Sequence, residues 1–197
     1  MFYNFRITVC VLMALSCMSL QAHDVLIEAK GAYFLSTNHL FKDIYNNGGG
    51  RYGGELTVKL YKHLYGFASA DFLSKRGRSI GCCSPTKVNL INLGLGLKYM
   101  IPFCYGDFYV GLGVLPTHLR TKDCSAFVIP KRSKWGCGGI GKIGTYFNLS
   151  PHVLVDIFVD YSFVKIPFKC RSNQPTQSHT ANLSGCGFGA GFGYRFN

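Results

Sequence analysis

Acid is scarce in this chain. Of its 197 residues only 9 are Asp or Glu, against 21 Lys or Arg, and the charged total is 15%. A soluble globule usually carries about 25% charge, because its surface must face water. Beyond residue 22 there is no run of about twenty consecutive apolar residues. That excludes a bilayer-crossing helix in the rest of the chain. Mean hydropathy is only +0.15, too low for a bundle of membrane helices. Yet 48% of the residues are hydrophobic, which excludes a wholly disordered chain. The length suits one domain, or two small ones. What remains is a chain whose apolar residues are spread one face at a time.

The first segment reads as a targeting device. In residues 1–22, Arg6 supplies positive charge, Ile7 to Leu15 form a short apolar run, and the segment ends at Ala22. This pattern predicts a secretory signal peptide cut before His23, with residues 23–197 as one mature domain. The competing reading is a lipoprotein signal acylated at Cys17; Ala14-Leu15-Ser16-Cys17 fits that box poorly. Removal of the segment takes away Arg6, Cys10 and Cys17. It leaves 175 residues, seven cysteines, and 20 bases against 9 acids, a net +11.

Period-2 alternation then recurs, predicting strands at about 25–36, 51–62, 65–75, 87–100, 107–119, 134–147, 152–165 and 184–197. In the fourth, Ile91, Leu93, Leu95, Leu97 and Tyr99 share one face, and Asn92, Gly94, Gly96 and Lys98 the other. In the last, Phe188, Ala190, Phe192, Tyr194 and Phe196 oppose glycines and Arg195. The strands are longer than the ~5–6 residues common in globular proteins and match the ~9–11 that cross a bilayer. On these boundaries the connections hold about 14, 2, 11, 6, 14, 4 and 18 residues. Long and short alternate. An all-β, eight-stranded antiparallel up-and-down transmembrane β-barrel requires that pattern, with short periplasmic turns and long outer loops.

The faces opposite the apolar rows carry Glu28, Lys30, Glu55, Lys59, Asp71, Lys98, Lys142, Asp156, Asp160 and Arg195, five acids and five bases. An eight-stranded barrel is filled by its own side chains. A charge-balanced interior is what such a lumen needs. The expectation is therefore a salt-bridge network that plugs the barrel, with a narrow proton or ion path as the alternative. Tyr99, Phe108, Phe147, Tyr194 and Phe196 cluster at the short-turn end, where an aromatic girdle belongs.

The chain resembles the small outer-membrane barrels typified by the OmpA transmembrane domain, OmpX and the Opa adhesins. The architecture carries the likeness, together with the final strand Phe188-Gly-Ala-Gly-Phe-Gly-Tyr-Arg-Phe196, which looks like their assembly signal. In this chain Asn197 follows the terminal aromatic, where the usual pattern ends on it. The resemblance implies an outer-membrane location, contact with the assembly machinery and lipopolysaccharide, and a structural or adhesive role. It implies no cofactor.

Other patterns are weighed against that frame. Gly189-Ala-Gly-Phe-Gly193 is no phosphate loop, because no helix pattern follows it. Asp156 and Asp160 lie about 13 Å apart along one strand face, too far to share a proton. Lys42, Arg76, Arg78, Arg120, Lys122, Lys131, Arg132, Lys169 and Arg171 fall in the expected outer loops with only Asp43 and Asp123. That excess predicts affinity for polyanions, either the phosphates of surrounding lipopolysaccharide or acidic glycans on a host surface. Nucleic acid is not an expected partner, since no stacking aromatics accompany these bases. Cys82, Cys83, Cys124 and Cys170 also fall in expected loops and are disulfide candidates, with Cys124–Cys170 one plausible staple. Seven is odd, so a thiol stays free or links neighbouring molecules. Metal is not expected, since no His stands at finger spacing from the loop cysteines. His118 and Ser133 flank the third long loop on the lipid side. A lipid-modifying Ser/His site there would need them within ~3 Å. The His-x-Ser arrangement of lipid A deacylases is absent, no third carboxylate is evident, and no enzyme is expected.

Overall fold

The computed structural model describes residues 24–38, 48–78, 85–123, 131–168 and 179–196. Lys42, Asp43, Lys169, Arg171, the four cysteines proposed for disulfides, and residues 1–22 lie outside them. The strands are β1 (Val25–Ser36), β2 (Gly48–Tyr61), β3 (Leu64–Arg78), β4 (Pro85–Phe103), β5 (Gly106–Asp123), β6 (Lys131–Asn148), β7 (Val153–Phe168), β8 (His179–Asn182) and β9 (Gly185–Phe196). All pairings are antiparallel between sequence neighbours, and β9 closes the sheet by pairing with both β7 and β1. The four-residue β8 pairs with the upper end of β7 and leads into β9 past Leu183 and Ser184. The N–H of Thr37 donates to the Ser184 carbonyl at 3.0 Å and holds β1 to that break. The nine segments thus make eight staves of a closed antiparallel β-barrel.

Long and short connections alternate as expected, at 11, 2, 6, 2, 7, 4 and 10 residues. The strands, however, run further at the long-loop end than the alternation indicated. Arg76 and Arg78 stand on β3, Arg120 and Lys122 on β5, and Lys131 and Arg132 on β6, where loops were expected. Alternation reports burial on one face only, and it fades where a strand rises out of lipid and both faces meet polar surroundings.

The expected outward rows do face out. Ile91, Leu95, Leu97, Tyr99, Leu112, Ile157 and Phe192 are all exposed. On β4 every outward residue from Ile91 to Phe103 is apolar. That run is about 40 Å along the strand and about 30 Å high at a tilt near 40°, close to the hydrocarbon thickness. An exposed apolar belt of this height needs lipid around it.

Inside, the barrel has three tiers. Leu26, Met100, Tyr109, Tyr146 and Leu154 form a floor near the short turns. The charged residues fill the middle. Phe34, Leu73, Val88, Leu90, Leu115, Leu119, Val164 and Ile166 form a roof toward the long-loop end. That roof departs from the polar-in pattern. There the inward residues Leu73, Val88, Leu90 and Leu119 are apolar while Ser74, Asn89 and Arg120 beside them face out, because a closed lumen this narrow packs like a globular core.

Candidate functional site: an ionic plug and a basic outer rim

Glu55 on β2 sits at the centre of the middle tier. Its carboxylate receives Lys30 Nζ at 3.0 Å, Lys142 Nζ at 2.5 Å, and Lys98. Lys30 also reaches Glu28 at 3.1 Å and Asp156 at 2.9 Å. Lys98 donates to the Tyr146 hydroxyl at 2.6 Å, and that hydroxyl donates to Glu28 at 2.8 Å. The Tyr109 hydroxyl donates to Asp156 at 3.0 Å, and its ring stacks on Tyr146 at 4.7 Å. Lys98 is wholly buried, 4.3 Å from the centre of the Tyr109 ring. Three lysines are tolerable here because each has a carboxylate and an aromatic face beside it.

The remaining lumen charges sit above and below. Asp160 pairs with Arg51 just under the roof. Lys59 pairs with Asp24 at 2.7 Å and Arg195 with Asp107 at 2.8 Å, both at the short-turn mouth. Arg51, Asp24 and Asp107 were missed from sequence, since they lie at or beyond the ends of the predicted alternation. Asp71 points inward as expected and is buried, but it makes no ion pair. The expected lumen residues therefore all face in, and all but Asp71 are paired. The β9 glycines make room for them. A Cβ on Gly187 would lie 2.7 Å from Asp160 Oδ1, and one on Gly193 would lie 2.9 Å from Glu28 Cγ. Between the ionic tier and the roof the lumen holds a void of about 10 Å³, lined by Phe34, Arg51, Asn92, Leu115 and Thr117 among others. That is room for about one water.

A second constellation lies on the outer wall at the long-loop end of β3 to β6. The register there aligns three rows. Phe72, Ile91, His118 and Trp135 form one. Ser74, Asn89, Arg120 and Ser133 form the next. Arg76, Lys87, Lys122 and Lys131 form the outermost. Of these, Arg76 and Lys87 have described side chains and stand directly opposite one another, and like charges so placed repel, a cost that ordinary sheets avoid. Arg76 and Arg120 are exposed, and neither they nor Lys87 meet an acid. Among residues whose side chains are described, every Asp and Glu faces the lumen or its mouth.

His118 Nε2 and Ser133 Oγ are 2.7 Å apart on this wall, and the His118 ring lies 4.8 Å from Trp135. The distance demanded of a Ser/His pair is thus met. An orienting acid is not: no carboxylate stands on this wall among residues whose side chains are described. Cys104, Cys137 and Cys186 are free thiols, the first in a short turn and the other two on outward faces.

No protein-family model matches this chain, and no curated protein matches its sequence. Solved structures do match its shape. OprG of Pseudomonas aeruginosa aligns with a TM-score of 0.65 at 16% identity, over 89% of this chain and 97% of that one. The Escherichia coli outer membrane protein W aligns at 0.60 and 17%, over 89% and 98%. Ail, the attachment invasion locus protein of Yersinia pestis, solved with the heparin analogue sucrose octasulfate, aligns at 0.54 and 16%, over 88% and 98%. The fold is that of the small outer-membrane barrels. At these identities the likeness carries the fold alone.

Proposed function

We propose that the chain is exported by a cleaved segment at residues 1–22, is inserted by the outer-membrane assembly machinery, and serves as a non-conducting scaffold in that membrane. Its outer end presents basic residues to polyanions. Arg76 and Lys87, opposite one another, with Arg120 nearby and no acid paired to any of the three among the described residues, carry this reading, since like charges so placed are most stable with an anion against them. The Ail complex with a sulfated heparin analogue supports it by example in a barrel of the same fold. The bases Arg78, Arg132, Lys169 and Arg171, and loop cysteines able to link neighbouring molecules, belong to the same outer end of the proposal.

A channel is the second reading, and the sealed middle tier argues against it. A lipid-modifying enzyme draws support from the His118–Ser133 contact but lacks an acid to orient the imidazole. The test is binding of a sulfated oligosaccharide to the barrel in zwitterionic micelles at rising salt. Neutralising Arg120, Lys122, Lys131 and Arg132 is expected to weaken binding and flatten its salt dependence. Unchanged binding removes the basis for the reading.

A further inference from the structure

The polyanion reading leaves open which anion the rim meets. The position of the rows on the wall answers this. Phe72, Ile91, His118 and Trp135 end the apolar belt, and aromatics at that level mark the membrane–water interface. Successive outward rows rise by about 5 Å at ~3.4 Å per residue and a tilt near 40°. Along its own strand Arg120 therefore stands about 5 Å above His118 and Ser133 about 5 Å above Trp135, while Arg76 stands about 10 Å above Phe72 and Lys87 about 10 Å above Ile91. The polar headgroup layer is about 5–7 Å thick on each side of the hydrocarbon. These bases flank the barrel inside or just above that layer. They do not crown it. A soluble glycan approaches the crown; a lipid headgroup approaches the wall.

The patch is also one-sided. Near the same end of the wall made by β1, β2, β7 and β9, the described outward side chains include one cation, Lys165. Across β3 to β6 the row spans about 14 Å at ~4.8 Å between strands. Several bases over that width suit a headgroup bearing more than one phosphate better than a single-phosphate lipid. His118 and Ser133, hydrogen-bonded to each other just below, offer polar contacts at the level where a sugar or ester begins.

We infer that the β3–β6 wall docks a multiply phosphorylated glycolipid of the outer leaflet, with Arg76, Lys87 and Arg120 on its phosphates. This rests on the polyanion reading and narrows it to one source. The probe is diphosphorylated lipid A, added to the folded barrel in zwitterionic micelles and scored by native mass spectrometry. Emission from Trp135, the sole tryptophan, gives a second readout. Dephosphorylated lipid A and sucrose octasulfate are run beside it. The expected result is retention of the diphosphorylated lipid, shifted Trp135 emission, and at least tenfold weaker retention by R76Q/K87Q/R120Q. The dephosphorylated lipid is not retained, and Lys165→Gln on the other wall retains the lipid like the native chain. Heat-modifiable gel mobility confirms that each variant is folded, and Arg120→Gln alone serves if the triple variant is not. Equal retention of both lipids, or by variant and native chain, overturns the inference. If sucrose octasulfate binds and the lipid does not, this inference fails while the polyanion reading survives. If neither binds, both fail.

Discussion

Replacing Glu55 by Gln removes one negative charge and leaves its three lysines in place. Each contact near 3 Å is worth roughly 5 kcal/mol at an effective dielectric of ~20. Much of that offsets the cost of taking the ions out of water. Removing one partner of a buried ion pair typically costs about 3–5 kcal/mol, because the other charge stays behind. Three ammonium groups around a neutral amide place Glu55→Gln at the upper end of that range. Asp71→Asn is the same chemical change in the same lumen, at a carboxylate with no ion pair; its cost should stay under about 1 kcal/mol. Urea titration in micelles, followed by Trp135 emission, separates the two. With a slope near 2 kcal/mol per molar, Glu55→Gln lowers the midpoint by about 2 M and Asp71→Asn by at most ~0.5 M. Equal shifts, or a Glu55→Gln barrel as stable as the native one, would refute the idea that Glu55 anchors the plug.

Three further outcomes follow from the same geometry. Gly187→Val places a side chain against Asp160 and Arg51, so it should cost about 1–3 kcal/mol, while Ala190→Val on the outward face of the same strand should stay within ~0.5 kcal/mol; the urea titration reads both. The purified barrel in a planar bilayer should pass no sustained current, and steady selective conductance would show that the middle tier opens. A variant keeping only Cys104 should react with an impermeant maleimide after the outer membrane is breached and not before; labelling of intact cells would invert the assigned orientation.

Most of the barrel was legible in the sequence, and for one reason. Lipid outside and a packed lumen inside force a strict period of two, so Ile91 to Tyr99 and Phe188 to Phe196 announced their faces. Three things were hidden. The rim extensions carrying Arg76, Arg120 and Lys131 have polar surroundings on both sides, so they read as loop. The roof of Leu73, Val88, Leu90 and Ile166 broke the polar-in rule, because a closed lumen rewards apolar packing wherever no charge needs housing. Partner choice was hidden too. Arg51 meets Asp160 across 109 positions of chain, and only the closure of β9 on β1 and β7 brings such distant strands together. The His118–Ser133 contact could be named from sequence as a pair on adjoining strands, but its 2.7 Å distance came from the register of β5 with β6.

The most direct test of the barrel itself is site-directed spin labelling along β4 in lipid bilayers, one nitroxide at a time from Ile91 to Phe103. Odd positions should collide readily with oxygen dissolved in the hydrocarbon, and even positions such as Lys98 and Met100 with neither oxygen nor a water-borne relaxant. A smooth profile, a period near 3.6, or odd positions open to the water-borne relaxant would contradict a closed cylinder with its apolar side chains in lipid and its charges sealed within.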